Sequence, residues 1–188
     1  MGEDIQKVKE EIKKVIKESP IEEDPLHSEL VLKWVLKLKP DADEALQISA
    51  LSHDIDRAIT KVTESDLKDY KANYHKYKKE HAERSAKFIA EILRKNNYPE
   101  EIVKKVIFLV ERHEVGGDKE SDILKDADSL SYFEYNISFY LKRNGKEQTK
   151  EKIKFMYSRM AEESKKLVNK MKFQNEEVAE LFKEAIKK

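Results

Sequence analysis

Apolar residues in this chain recur at three- and four-residue intervals almost from end to end, the signature of amphipathic helices. Ile5, Val8, Ile12, Val15 and Ile16 form a narrow stripe on an otherwise Lys/Glu surface, and Ser19-Pro20 closes that helix. Asp24-Pro25 opens a second, which carries Leu30, Val31, Trp34, Val35 and Leu38 and stops before Pro40. Asp41 followed by Glu44 reads as a capping box for a third helix, predicted to run unbroken to about Ile59. Residues 60–79 are polar; Asp66 is placed to cap a helix through His81 to Lys95, and the stretch reads as surface or as a lid. Asn96-Asn97-Tyr98-Pro99 breaks the chain before a helix carrying Ile102, Val103, Val106, Ile107, Leu109 and Val110 to His113. Gly116-Gly117 ends that helix, another holds Ile123 to Leu141, and Asn144-Gly145 turns into two more over 148–172 and 175–187.

No stretch alternates apolar and polar residues long enough to make a strand. The reading is an all-α, single-domain bundle of seven or eight helices over residues 1–188. Its motif-bearing core is 25–140, and 146–188 forms a C-terminal helical hairpin, packed on the same domain or serving as a homodimerisation arm.

Composition narrows the functional classes. Lys+Arg 38 balances Asp+Glu 38, so no net field attracts a nucleic acid polymer or an anionic membrane. The absence of Cys removes disulfides, thiolate metal sites and a Cys nucleophile. Four glycines, at 2, 116, 117 and 145, leave no phosphate-cradling loop or dinucleotide fingerprint. With no apolar run of membrane-spanning length and no signal-peptide pattern, the expected location is cytoplasmic.

The chemistry lies in the histidines. His27, His53, His81 and His113 fall in four different predicted helices, Asp54 follows His53 at once, and a later helix carries Asp126-Ala-Asp128. A helical bundle can aim such side chains at one interior point. Neutral imidazoles and carboxylates together are the ligand set of one or two divalent transition metals: Mn, Fe, Co, Ni or Zn. Burying the carboxylates among imidazoles would be costly without a cation. Neighbours on a helix point about 100° apart, so Asp54 is placed to bridge two ions while His53 serves one.

The ordered set His27, His53-Asp54, His81, His113, Asp128 resembles that of the HD-domain superfamily of metal-dependent phosphohydrolases, over about residues 25–140. "ALSHDIDRA" and "ILKDADSLSYF" are similar to that family's His-Asp helix and final Asp helix. The resemblance implies a first metal on His27, His53, Asp54 and Asp128, with Asp128 preferred over Asp126. A second metal would be completed by His81 and His113 and bridged by Asp54, and a metal-activated water would attack a small phosphate ester such as a nucleotide. Arg57 stands where many members carry a Lys after a Gly, here Asp56-Arg57, and is the implied phosphate clamp beside Asp54 in the catalytic set.

Arg84, Ser131 and Tyr135 are further substrate-contact candidates, with Lys87 beside Arg84. Glu114 is a candidate proton carrier, and Tyr70, Tyr74 and Tyr77 form an aromatic stripe leading to His81, with His75 off it on the surface. Two rival functions share these ligands: a di-iron oxygenase of the same superfamily, and a non-catalytic module that binds a nucleotide or metal.

Overall fold

The computed structural model describes residues 2–66 and 70–187, with the side chains of residues 2–4, 65, 70 and 71 outside that description. Ten α-helices follow in order: α1 (Gly2–Ile16), α2 (Asp24–Leu38), α3 (Glu44–Ser52), α4 (Ile55–Thr60), α5 (Tyr70–Lys95), α6 (Glu100–Arg112), α7 (Lys119–Ser131), α8 (Ile137–Ser158), α9 (Glu162–Val168) and α10 (Glu176–Ile186). A 3-10 turn (Glu64–Asp66) precedes α5, and a π-helical turn (Tyr132–Asn136) joins α7 to α8. No strand occurs among the described residues, and the fold is all-α as the periodicity predicts.

The core is two clusters that share α3. Ala45, Ile48 and Leu51 face one, with Val8, Ile12 and Ile16 of α1 and the apolar faces of α5 and α6. Leu46 and Ala50 face the other, with α2, α7 and the C-terminal helices. A helix packed on two sides has no polar face, and α3 is accordingly apolar almost all round. Its buried hydroxyls are satisfied internally: Ser49 donates to the Ala45 carbonyl (2.8 Å) and Ser52 to that of Ile48 (2.9 Å). The site therefore hangs from the most deeply held helix of the bundle.

Several boundaries differ from the sequence reading. The cap of α3 is Asp43, whose carboxylate accepts from Leu46 N (3.0 Å); Asp41 is exposed and pairs with Lys39. Asp43→Ala is expected to destabilise the protein by about 1 kcal/mol, a fall of roughly 2–4 °C in melting temperature by calorimetry. The helix predicted to Ile59 breaks at His53-Asp54, so α4 is a separate turn of helix. Asp66 accepts from Thr63 N (2.7 Å) in its 3-10 turn; the expected cap falls on residues 67–69, which lie outside the described residues. The predicted 148–172 helix stops at Ser158 and restarts at Glu162, because Asp126 of α7 accepts the Ala161 N–H (3.2 Å) and pins the chain in extended backbone there. Gly145, at φ 76°, kinks α8 where a turn is expected.

The C-terminal segment packs into the same core. Ile153, Met156, Met160, Val168, Val178, Leu181 and Phe182 are buried with Val31, Trp34 and Phe133, so the apolar stripe of residues 146–188 is used within the chain. Among the described residues no helix is long and apolar enough to cross a membrane.

Candidate metal centre

Five elements deliver six side chains to one point. His27 lies in the second turn of α2, His81 in the middle of α5, His113 at the C-terminal cap of α6 and Asp128 in the last turns of α7. His53 and Asp54 occupy the break between α3 and α4, where Asp54 leaves helical geometry (φ −108°, ψ 13°). On an unbroken helix the two would diverge; the break lets both point inward. His53, His81 and His113 are wholly buried and His27 is 4% exposed.

Each imidazole is fixed through its outer nitrogen. Nδ1 donates to the Ala50 carbonyl from His53 (3.0 Å) and to the Val110 carbonyl from His113 (2.7 Å). His81 Nδ1 donates to the Asp56 carboxylate (3.0 Å), which the Arg84 guanidinium holds ionised from its other side (2.8 and 2.9 Å). Ser131 Oγ accepts from His27 Nδ1 (2.8 Å), its own proton being directed to the His27 carbonyl (3.3 Å). With Nδ1 the donor in all four rings, the neutral tautomer leaves four bare Nε2 atoms facing the interior. Outer partners of this kind orient imidazoles in metal sites.

Those Nε2 atoms converge on Asp54 from two sides. Its Oδ2 lies 3.3 Å from His53 Nε2 and 3.7 Å from His27 Nε2. Its Oδ1 lies 2.8 Å from His81 Nε2 and 3.8 Å from His113 Nε2. Asp128 Oδ1 completes the first group, 3.2 Å from His27 Nε2 and 3.8 Å from His53 Nε2. Two sets, His27-His53-Asp54 and Asp54-His81-His113, thus have geometry able to hold a cation, with Asp54 common to both. Asp126 faces α9 instead, which separates it from the site.

Without a cation, protons and guanidinium groups balance this cluster. Burial pushes His53 down, but the Asp54 and Asp128 carboxylates outweigh it and raise its pKa to about 9. Burial alone would raise Asp54; Arg57 and His53 hold it well below the ordinary carboxylate range. Arg159 does the same for Asp128 against the same burial penalty. Burial lowers His113, whose Nε2 has no hydrogen-bond partner among the described residues and sits 3.1 Å from Glu114 Oε1. A buried bare nitrogen aimed at carboxylate oxygens fits a divalent cation better than any group in the chain. Mn, Co, Ni or Zn at a hundred times its dissociation constant is expected to raise the melting temperature by roughly 5–10 °C, reversed by a chelator and read by scanning calorimetry.

His27, Asp54 and Asp128 form the floor of a cavity of about 870 Å³, with the wholly buried His53, His81 and His113 behind them. Arg57 lies in its wall, forked onto Asp24 (2.9 and 2.7 Å) and also bonded to Asp54. Glu114 is buried between His113, Lys78 and Arg159. Tyr74, Lys78 and Glu64 make one side, so part of the polar 60–79 stretch covers the site; His75 is exposed, as expected, at the rim. Tyr77 is stacked on His81 (5.8 Å between centroids, 18° between planes). The Tyr70 side chain lies outside the described residues.

Other candidates sit elsewhere. Arg84 is occupied by Asp56 and, with exposed Lys87, does not line the cavity. Ser131 is wholly buried behind His27. Tyr135 packs against Phe139 outside the cavity wall; Tyr132 and Asn136 take its place, because the π-helical turn adds a residue to the helical repeat there.

The sequence reading missed three positions. Asp56 holds His81, and its only signal is an acid two residues past Asp54. Lys78 pairs with Glu114. Arg159, from the end of α8, bonds Asp128, Glu114 (3.0 Å) and Ser129 (2.9 Å). No local pattern marks either Lys78 or Arg159.

A family model described as Domain of unknown function (DUF4202) matches residues 4–181. No curated protein and no solved structure matches the chain.

Proposed function

Because the chain belongs to the DUF4202 family, whose description names no activity, we propose its function from the site: it is a metal-dependent phosphohydrolase of the HD-domain type, acting on a small phosphate ester. The observation that carries this reading is Asp54. Its two carboxylate oxygens each serve a separate pair of imidazoles, and Asp54 itself lies on the floor of a cavity large enough for a small organic ligand. His27, His53, Asp54 and Asp128 would hold one ion, and Asp54, His81 and His113 a second. Bound divalent ions would supply a water ionised near neutral pH and a clamp for phosphoryl oxygens.

The chain's own residues prepare the rest. The Nδ1 bonds keep the four rings from rotating away. Asp56, fixed by Arg84, sets the His81 ring. Arg57 and Arg159 contact the carboxylates of the centre itself, which makes them the guanidinium groups nearest a phosphate on that floor.

The test is elemental analysis of protein purified without added metal or chelator, followed by phosphate release from a panel of mono- and diesters. One or two equivalents of Mn, Co, Ni or Zn with metal-stimulated release is the expected result. Two irons per chain with substrate-dependent O₂ uptake and no phosphate release would replace this reading with the oxygenase.

A further inference from the structure

With Asp54 and Asp128 of the metal floor included, the cavity wall carries five cations and eight carboxylates. Each cation is already paired. Arg57 is held by Asp24 and Asp54, Lys78 by Glu114, Arg143 by Glu23 (2.7 Å), Lys152 by Glu64 (3.6 Å), and Arg159 by Asp128 and Glu114. A phosphate placed away from the floor would have to separate one of these pairs, among which Arg143 is the exposed cation, and leave its carboxylate uncompensated. Two divalent ions would turn the wall's excess of three negative charges into an excess of one positive charge. That balance suits a single phosphate group and not a chain of them.

The next two turns of the same helix face offer neutral groups. Tyr132 and Asn136 follow Asp128 at four and eight residues and line the cavity. Tyr132 is 4% exposed. Neither Tyr132 Oη nor Asn136 Oδ1 has a hydrogen-bond partner among the described residues. Both belong to the π-helical turn, where the Ile137 N–H reaches back to the Tyr132 carbonyl and swings these side chains onto the cavity face. Unpaired buried oxygens destabilise a fold, and their persistence on a cavity wall points to a ligand. Tyr74, Tyr140 and Phe155 line the same end.

We propose that the substrate is a monophosphate ester whose organic part carries an uncharged donor and acceptor, recognised by Tyr132 and Asn136, and that polyphosphates are rejected. This rests on the phosphohydrolase reading. A nucleobase edge and a sugar diol share the required chemistry.

The experiment compares AMP, ADP, ATP, glucose 6-phosphate and phenyl phosphate on the metal-loaded full chain, by phosphate release and by calorimetric binding. AMP or glucose 6-phosphate should be preferred, the winner identifying base or sugar, with ADP and ATP disfavoured by roughly 100-fold in kcat/KM. Tyr132→Phe should raise KM for the preferred ester by about 10-fold, several times more than for phenyl phosphate. The same change removes only an unpaired hydroxyl, so its melting temperature should rise by about 2–4 °C.

ATP used as well as AMP would overturn the proposal. So would a Tyr132→Phe protein that melts lower and keeps its ester preference. If no ester is cleaved, the hydrolase reading fails by itself, and binding decides the inference: AMP or glucose 6-phosphate bound tighter than ATP upholds it, and ATP bound tightest or none of the three bound overturns it.

Discussion

Asp54→Asn is expected to abolish metal-stimulated phosphate release, by roughly a thousandfold or more, and to leave the purified chain with less than one equivalent of metal. The substitution keeps the shape of the side chain and removes its charge. One carboxylate oxygen faces His27 and His53, the other His81 and His113, so a single change weakens both halves of the centre. Folding should survive. An amide NH₂ can donate to the bare His81 Nε2, and Arg57 keeps its two bonds to Asp24. The control is Asp126→Asn, two residues from Asp128 on the same helix but turned toward α9, where the amide oxygen can still accept from Ala161 N. That protein should retain its metal. Metal content by elemental analysis and initial rates on the best ester decide the matter. An active Asp54→Asn enzyme, or loss of metal from Asp126→Asn, would remove Asp54 from its place at the centre.

The local rules made most of the helices legible, because each buries one continuous stripe and ends at Pro, Gly or Asn. The six converging side chains were legible for a related reason: the few histidines of this Lys/Glu-rich chain stand out, and Asp54 adjoins one of them. What escaped was set by contacts between elements. Nothing in "LSHDIDR" marks a helix break at His53-Asp54, where the two Asp54 oxygens meet the neighbouring His53 ring and three rings from other helices. The π-helical turn has no Pro or Gly to announce it, so an α-helical count from Asp128 lands on Tyr135 where the wall presents Asn136. The role of the C-terminal segment was equally hidden. Its stripe suits a partner chain or its own core, and only the packed structure shows Ile153, Met156 and Phe182 inside the cluster with Val31 and Trp34.

Arg159 follows from that packing, and its removal should have the largest effect on stability. The guanidinium is 9% exposed and makes three contacts: with the Asp128 carboxylate, with Glu114 Oε2 at 3.0 Å and with Ser129 Oγ at 2.9 Å. Arg159→Ala leaves two buried carboxylates short of a cation. Such a loss costs about 3–5 kcal/mol for a fully buried pair, and the lower end is expected because Lys78 still pairs with Glu114 and His27 still flanks Asp128. The metal-free melting temperature should fall by roughly 6–12 °C. Arg159→Lys restores one charge but cannot reach three acceptors in a fixed fork, so it should recover only part of the loss. A divalent ion on Asp128 replaces the missing positive charge, so the deficit should shrink when metal is added. Denaturation of the wild type, Arg159→Ala and Arg159→Lys, each with and without Mn, measures the coupling directly. An equal deficit in both conditions would mean that Arg159 braces α8 without sensing the centre. A deficit that shrinks with metal would place the electrostatic balance of Asp128 partly in the C-terminal segment, 31 residues away in sequence.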